Sequence, residues 1–72
     1  MAELNHRQYD ALEHAILHGG RVSIYRRGTE YIVIPLRLRL EGGRESIEAQ
    51  NPTTGDYLVL HLDEIDSVEM VR

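Results

Sequence analysis

The residues best suited to chemistry are two arginines, Arg37 and Arg39, within the stretch Tyr31–Leu40. Isoleucine or leucine occupies every even position of that stretch, and the arginines fall between the last three leucines. A period of two is typical of a strand with one face in a core and one in water. Guanidinium groups about 7 Å apart on the outer face would fit successive phosphates. Alternatively, cross-strand Glu45 or Glu48 balances both charges on a solvated face.

Arg44 and the tyrosines extend the predicted ligand site. The alternation directs Tyr25, Tyr31 and Tyr57 outward, and aromatic rings interleaved with arginine on a sheet are typical of a stacking platform for single-stranded nucleic acid. Alternatively, the rings cover the flank of the fold with each hydroxyl at the rim. We predict four ligand-binding residues: Arg37, Arg39, Arg44 and Tyr25.

The charge is divided unevenly along the sequence. The whole chain carries -4, and all of its basic residues are arginine. Positions 21–44 hold six arginines and two glutamates, a net +4, whereas positions 45–72 hold seven acidic residues and one arginine, a net -6. The acidic half supports a different prediction, a protein-interaction face that includes Glu64, Asp66 and Glu69.

Histidines and aspartate recur every four residues near the N-terminus, at His6, Asp10, His14 and His18. Such spacing can chelate zinc on a helix, but each step of four rotates the side chain by about 40°, so only neighbouring pairs share a site. We therefore predict a polar helix face and no metal. No nucleophile motif or phosphate-binding glycine loop is present, and we expect no enzyme activity and no cofactor.

The composition limits the fold and the setting. A chain of 72 residues without cysteine has room for one domain held by apolar packing or by self-association. No apolar run approaches the ~18 residues of a membrane span, so we expect a cytoplasmic protein without membrane contact.

The elements that must position these side chains follow from the periodicity and the turn residues. Asn5 with Gln8 forms a capping box, an apolar stripe follows, and Gly19-Gly20 ends the helix. Pro35 predicts a bend, bulge or edge in the long strand. We predict a helix over 6–18 and strands over 21–27, 30–40, 44–50, 57–62 and 66–71.

This order of elements predicts a mainly β, α+β fold in which a helix plugs a small five-stranded antiparallel barrel of the Sm-like or SH3-like type. The even positions of the second strand, 32 to 40, are expected in the core, and Pro35 at a corner. Val33, Val59 and Val71 are expected to face outward and to contact the helix or another subunit.

With the strands placed, the chain resembles the WYL domain, a small barrel of bacterial transcription regulators. Four segments carry the likeness: ALEHAILHGGRVSIYRR at 11–27, Ile34–Leu38, Gly43-Arg44 with Ala49, and Leu62–Val68. The resemblance implies binding of nucleic acid or a nucleotide-like effector. The name-giving triplet falls on Glu45-Ser46-Ile47, and His61 and Glu64 stand where the family favours arginines.

A second resemblance, in size, element order and acidity, is to the small Rho-binding antitermination proteins, and it implies a protein partner. The sequence therefore leaves two functions open. One is a non-enzymatic regulatory module that binds nucleic acid or nucleotide; the other is a protein-interaction module that acts through its acidic face or self-associates through exposed strand edges.

Overall fold

One helix followed by a five-stranded antiparallel sheet forms the computed structural model, which describes residues 4–71. The mainly β, α+β fold class is confirmed. The observed ends of the helix and strands differ from the predicted ends by no more than about two residues. A 3-10 turn, Leu62–Glu64, separates the last two strands. The elements are α1 His6–His18, β1 Val22–Arg26, β2 Thr29–Glu41, β3 Arg44–Gln50, β4 Tyr57–His61 and β5 Ile65–Met70.

Local capping defines both ends of α1. The Asn5 side chain accepts a hydrogen bond from the Gln8 amide, and the Gln8 side chain accepts one from the Asn5 amide, each at 2.9 Å. This reciprocal pair satisfies amides that have no partner within the helix. Gly19 ends the helix with φ of 70°, a left-handed conformation that glycine adopts without steric cost.

The long strand β2 changes the face that enters the core halfway along its length. Its pairing with β3 shifts between Pro35 and Arg37, so Leu36 is the extra residue of a β-bulge. Before the bulge, Val33 is only 2% exposed, whereas Ile32 is 39% exposed. The prediction that all even positions from 32 to 40 face the core, with Val33 outside, is therefore wrong.

The physical reason is the inserted residue. A single extra residue reverses which alternate side chains point inward, so odd positions are buried before the bulge and Leu38 packs against the core after it. Leu36 and Leu40 are exposed. The sequence prediction that Pro35 marks an irregularity is confirmed, because the bulge lies directly beside it.

The strand order is β4-β3-β2-β1-β5, and among residues 4–71 no pairing joins β4 to β5. The predicted barrel is therefore not closed, and the strands form a sheet with two edges. The 3-10 turn carries the chain from β4 at one edge to β5, which pairs with β1 at the other. Each edge strand leaves a row of backbone donors and acceptors without a partner strand.

A single core lies between the sheet and α1. Leu12 and Ala15 bring the apolar stripe of the helix against strands β1, β2 and β5. Each strand adds alternate residues to this core, which fixes the outward direction of the intervening polar side chains. The buried apolar residues are Leu4, Leu12, Ala15, Val22, Ile24, Val33, Ile47, Ala49, Leu60, Leu62, Ile65 and Val68.

Candidate functional site: two grooves on a charge-paired sheet

Arg37 and Arg39 lie on the outer face of β2, as predicted, and both bind the same carboxylate. Nε of Arg37 donates to Oε1 of Glu48 at 2.6 Å, and Nη1 of Arg39 donates to Oε2 at 2.8 Å. Glu48 is directly opposite Arg37 in the β2–β3 register. The hydrogen bonds from Arg39 and Arg37 lower the pKa of Glu48. The cross-strand charge balance that the sequence offered as the alternative is therefore present.

Arg39 also lines a shallow groove of about 320 Å³ on the outer face of β2, β3 and β4. Glu41 binds Arg39 at 2.6 Å, so this guanidinium contacts two carboxylates. The hydrogen bond to Glu48 and the charge of Glu41 raise the pKa of Arg39. We call this the outer groove; its lining residues are Arg39, Glu41, Arg44, Ser46, Glu48, Val59 and His61.

Arg44 is held by the turn that follows β4. Its Nε and Nη2 donate to the two carboxylate oxygens of Asp63 at 2.9 and 3.0 Å, a bidentate pair, and Nη2 also lies 3.3 Å from Glu64. These contacts lower the pKa of Asp63 and raise that of Arg44, with the Arg44–Asp63 hydrogen bond as the main cause of both shifts. Arg44 therefore enters the outer groove with its Nε and Nη2 donors already engaged.

Tyr25 lies away from the three predicted arginines. It is on β1, it is not among the residues that line the outer groove, and its hydroxyl donates to Glu30 at 3.3 Å. Tyr31, predicted outward, packs against the core beneath the guanidinium of Arg26, which lies 5.2 Å from the ring centroid. The structure thus joins Arg37 to Arg39 through Glu48, places Arg39 and Arg44 in one groove, and leaves the predicted stacking platform divided.

Most arginines of the basic half of the sequence are paired with carboxylates, and three of these carboxylates, Glu48, Asp63 and Glu64, belong to the acidic half. Five of the six arginines in positions 21–44 form ion pairs with carboxylates, and the remaining one is Arg21. Glu64 alone contacts Arg26 at 3.8 Å, Arg27 at 3.5 Å and Arg44 at 3.3 Å. The arginines therefore do not form a separate basic surface.

The residues predicted for protein interaction have different roles. Glu64 is half-buried and engaged by arginines, whereas Asp66 and Glu69 are exposed and form no ion pair with the described part of the chain. Asp66 lies at a register irregularity between β1 and β5. Glu69 lines a second groove.

This second groove, which we call the edge groove, has a volume of about 350 Å³ between the first turns of α1 and strand β5. Its strand wall consists of four consecutive residues, 67 to 70, and its helix wall includes Arg7, which the sequence analysis did not single out. The lining residues are Asn5, Arg7, Gln8, Ala11, Ser67, Val68, Glu69 and Met70.

The polar helix face forms pairs of side chains only. Nε2 of His6 lies 3.2 Å from Oδ2 of Asp10, and the rings of His14 and His18 are 4.5 Å apart. Within residues 4–71 there is no cluster of three or more histidine, aspartate or glutamate side chains able to hold a metal ion. The arrangement matches the paired contacts that the four-residue spacing implies.

Glu48 and His61 belong to the site but were not among the predicted site residues. Glu48 was one of two cross-strand options, and only the register selects it. Nδ1 of His61 is buried without a hydrogen-bond partner in the described chain, although His61 also lines the outer groove. Such contacts depend on strands that are distant in the sequence, so no local sequence pattern predicts them.

Comparison with known proteins found no family model that matches the chain and no curated protein with significant sequence similarity. Within residues 4–71, α1 is too short and too polar to cross a bilayer.

Proposed function

We propose that this chain is a non-enzymatic protein-interaction module that adds an extended segment of a partner protein to the free edge of β4. The observation that carries the proposal is the pairing of β4 on one side only, combined with apolar side chains on its outer face. Tyr57 is 76% exposed and Val59 is 53% exposed. Both alternate with Leu58 and Leu60, which face the core side of the sheet.

The β4 edge lacks the devices that commonly block strand addition. Proteins protect edges with proline, lysine, inward charges or bulges. Strand β4, with the sequence YLVLH, has neither proline nor lysine, and its pairing with β3 is regular from Tyr57 to His61. A partner segment with β-branched or aromatic side chains at alternate positions would extend the sheet and cover Tyr57 and Val59.

The charges favour a protein partner over nucleic acid. A phosphate at Arg37 and Arg39 would compete with Glu48 for both guanidinium groups, and one at Arg44 would compete with Asp63. With a net charge of -4 there is also little long-range attraction for a polyanion. The resemblance to Rho-binding antitermination proteins supports a protein partner too, in cytoplasmic transcription regulation.

The experiment for the proposal selects binders from a displayed library of random nine-residue peptides and measures their affinity for the wild-type chain. We expect enriched peptides with alternating β-branched or aromatic residues, and hydrogen exchange that slows at the amides of β4 when they bind. Val59→Lys should weaken peptide binding about tenfold or more, because it places a charge where the bound peptide would cover the outer face of β4.

The matched control for Val59→Lys is Leu17→Lys, since Leu17 is also an exposed apolar residue but lies on α1. Leu17→Lys should leave peptide affinity within about twofold of wild type. Peptides that bind equally well to Val59→Lys, or an enrichment that does not exceed that of a library panned without the protein, would remove the basis of the proposal.

The competing function is nucleotide or nucleic-acid binding of the kind that the WYL resemblance implies. It is favoured by the common outward face of Arg37 and Arg39, the former being 67% exposed at its side chain. Fluorescence anisotropy with a labelled single-stranded oligonucleotide at low salt tests it.

We expect little binding of the oligonucleotide. The affinities of wild type and Arg37→Ala/Arg39→Ala should differ less than about twofold, because Glu48 forms ion pairs with both guanidinium groups. A steep loss of affinity with salt, whose slope the double variant reduces by about 2, would instead establish phosphate binding.

A further inference from the structure

The edge groove runs along the backbone edge of β5. Side chains of consecutive strand residues point to opposite faces of a sheet. Four consecutive residues, 67 to 70, nevertheless line the one groove. A groove that follows the outer edge of the strand is reached from both faces of the sheet, which accounts for this lining. The edge of β5 that has no partner strand therefore lies beside the first turns of α1.

Opposite charges stand in this groove without partners in the described chain. Arg7 on α1 and Glu69 on β5 are both exposed, both line the groove, and neither forms an ion pair within residues 4–71. This differs from the rest of the sheet surface, where five arginines are engaged by carboxylates. One cation and one anion on the same surface make that surface complementary in charge to a copy of itself turned by a two-fold axis.

Apolar surface accompanies the charges. Met70, 43% exposed, lines the groove together with Ala11 and Val68. Methionine adapts its shape to a partner surface more readily than branched side chains do. The core formed by residues 4–71 is small and contains no disulfide, so burial of further apolar area by association stabilises a domain of this size.

We infer that a second copy of this chain occupies the edge groove, with the two β5 strands paired antiparallel about a two-fold axis and Arg7 of each copy contacting Glu69 of the other. The pairing satisfies backbone groups of β5 and continues the sheet from one copy into the next. It uses the opposite edge of the sheet from the β4 edge proposed for a partner protein, so it does not depend on that function.

The test is a charge exchange measured by sedimentation equilibrium over a range of concentrations. Wild type is expected to dimerise. Arg7→Glu and Glu69→Arg should each raise the dimer dissociation constant about tenfold or more, because like charges then face each other at both symmetric contacts. A one-to-one mixture of these two variants should form a heterodimer with an affinity within about threefold of wild type, since both contacts become attractive again.

Glu13→Arg is the matched control. It makes the same change in charge as Glu69→Arg at an exposed position of α1 that does not line the groove, and the dimer should persist. Circular dichroism checks that each variant is folded. A wild-type chain that stays monomeric at millimolar concentration, or a mixture that fails to restore the dimer, would overturn the inference. So would a dimer that dissociates with Val59→Lys but not with the groove variants, because the β4 edge would then be the contact.

Discussion

Glu48 contacts two arginines of the neighbouring strand at once, and this changes what those arginines can do. Arg37 and Arg39 donate to its two oxygens at 2.6 and 2.8 Å. A carboxylate shared by two guanidinium groups holds both side chains on the sheet surface, and it competes directly with any incoming phosphate. Both arginines are therefore structural partners of Glu48, and Arg44 is a structural partner of Asp63.

The lowered pKa of Glu48 makes a prediction about stability and pH. Hydrogen bonds from Arg39 and Arg37 hold its folded-state pKa below the ordinary value of 4.5. Below about pH 4.5 the unfolded chain therefore binds more protons at this residue, so the stabilisation present at neutral pH is lost as the pH falls through the folded pKa. Glu48→Gln should be less stable than wild type at pH 7, and the difference should shrink towards pH 3.

Urea unfolding at several pH values measures this difference. Glu13→Gln serves as the control, because Glu13 is exposed and forms no ion pair in the described chain, and its curve should run parallel to that of wild type. A difference between wild type and Glu48→Gln that stays constant from pH 7 to pH 3 would contradict the assignment of the shift to these hydrogen bonds.

Among the elements, β2 carries the largest departure from simple alternation. Odd-numbered residues point inward before the bulge between Pro35 and Arg37, whereas the even-numbered Leu38 points inward after it. It also lets one strand serve two tasks, since its first half pairs with β1 beneath α1 and its second half carries the arginines opposite β3.

Neighbouring residues of β2 should respond very differently to truncation. Val33→Ala removes buried methyl groups and should lower the free energy of unfolding by about 1.5–3 kcal/mol. Ile32→Ala, at a position that strict alternation would place in the core, should cost less than about 1 kcal/mol because its side chain is partly solvated. Chemical denaturation of both variants gives the comparison, and equal losses would contradict the change of face at the bulge.

For the whole molecule, the ion pairs of Glu64 join regions that are far apart in the sequence. Arg26 and Arg27 lie at the end of β1, Arg44 begins β3, and Glu64 ends the 3-10 turn between β4 and β5. The turn spans the side of the sheet where a barrel would close. These contacts fasten that turn to the sheet without strand pairing between β4 and β5.

Glu64→Gln should therefore loosen the turn more than the sheet. Exposed ion pairs contribute about 0.2–1 kcal/mol each, so amide exchange at Leu62–Ile65 should accelerate by roughly 1.4-fold to fivefold per pair lost. Exchange at Ile47 in the centre of the sheet should stay unchanged. Hydrogen exchange resolved by NMR makes this comparison, and uniform acceleration over both regions would indicate a global loss of stability instead.

Local signals were sufficient to predict the elements of this fold. The Asn5–Gln8 capping box, the glycines after α1, and the turn residues between strands each act within a few positions, so the sequence alone determined the helix, the strand order along the chain and the outward faces of β3 and β4. Pro35 also marked the irregularity in β2, although not its effect on the inward face.

The contacts of the charged side chains and the position of the free surfaces depend on the tertiary structure. Whether Glu45 or Glu48 meets Arg37 depends on the β2–β3 register, and whether the basic and acidic halves separate depends on which strands become neighbours. The edge groove requires α1 to lie beside the unpaired side of β5. These features arise from contacts between residues distant in sequence, whose geometry is set by packing of the core rather than by any local pattern.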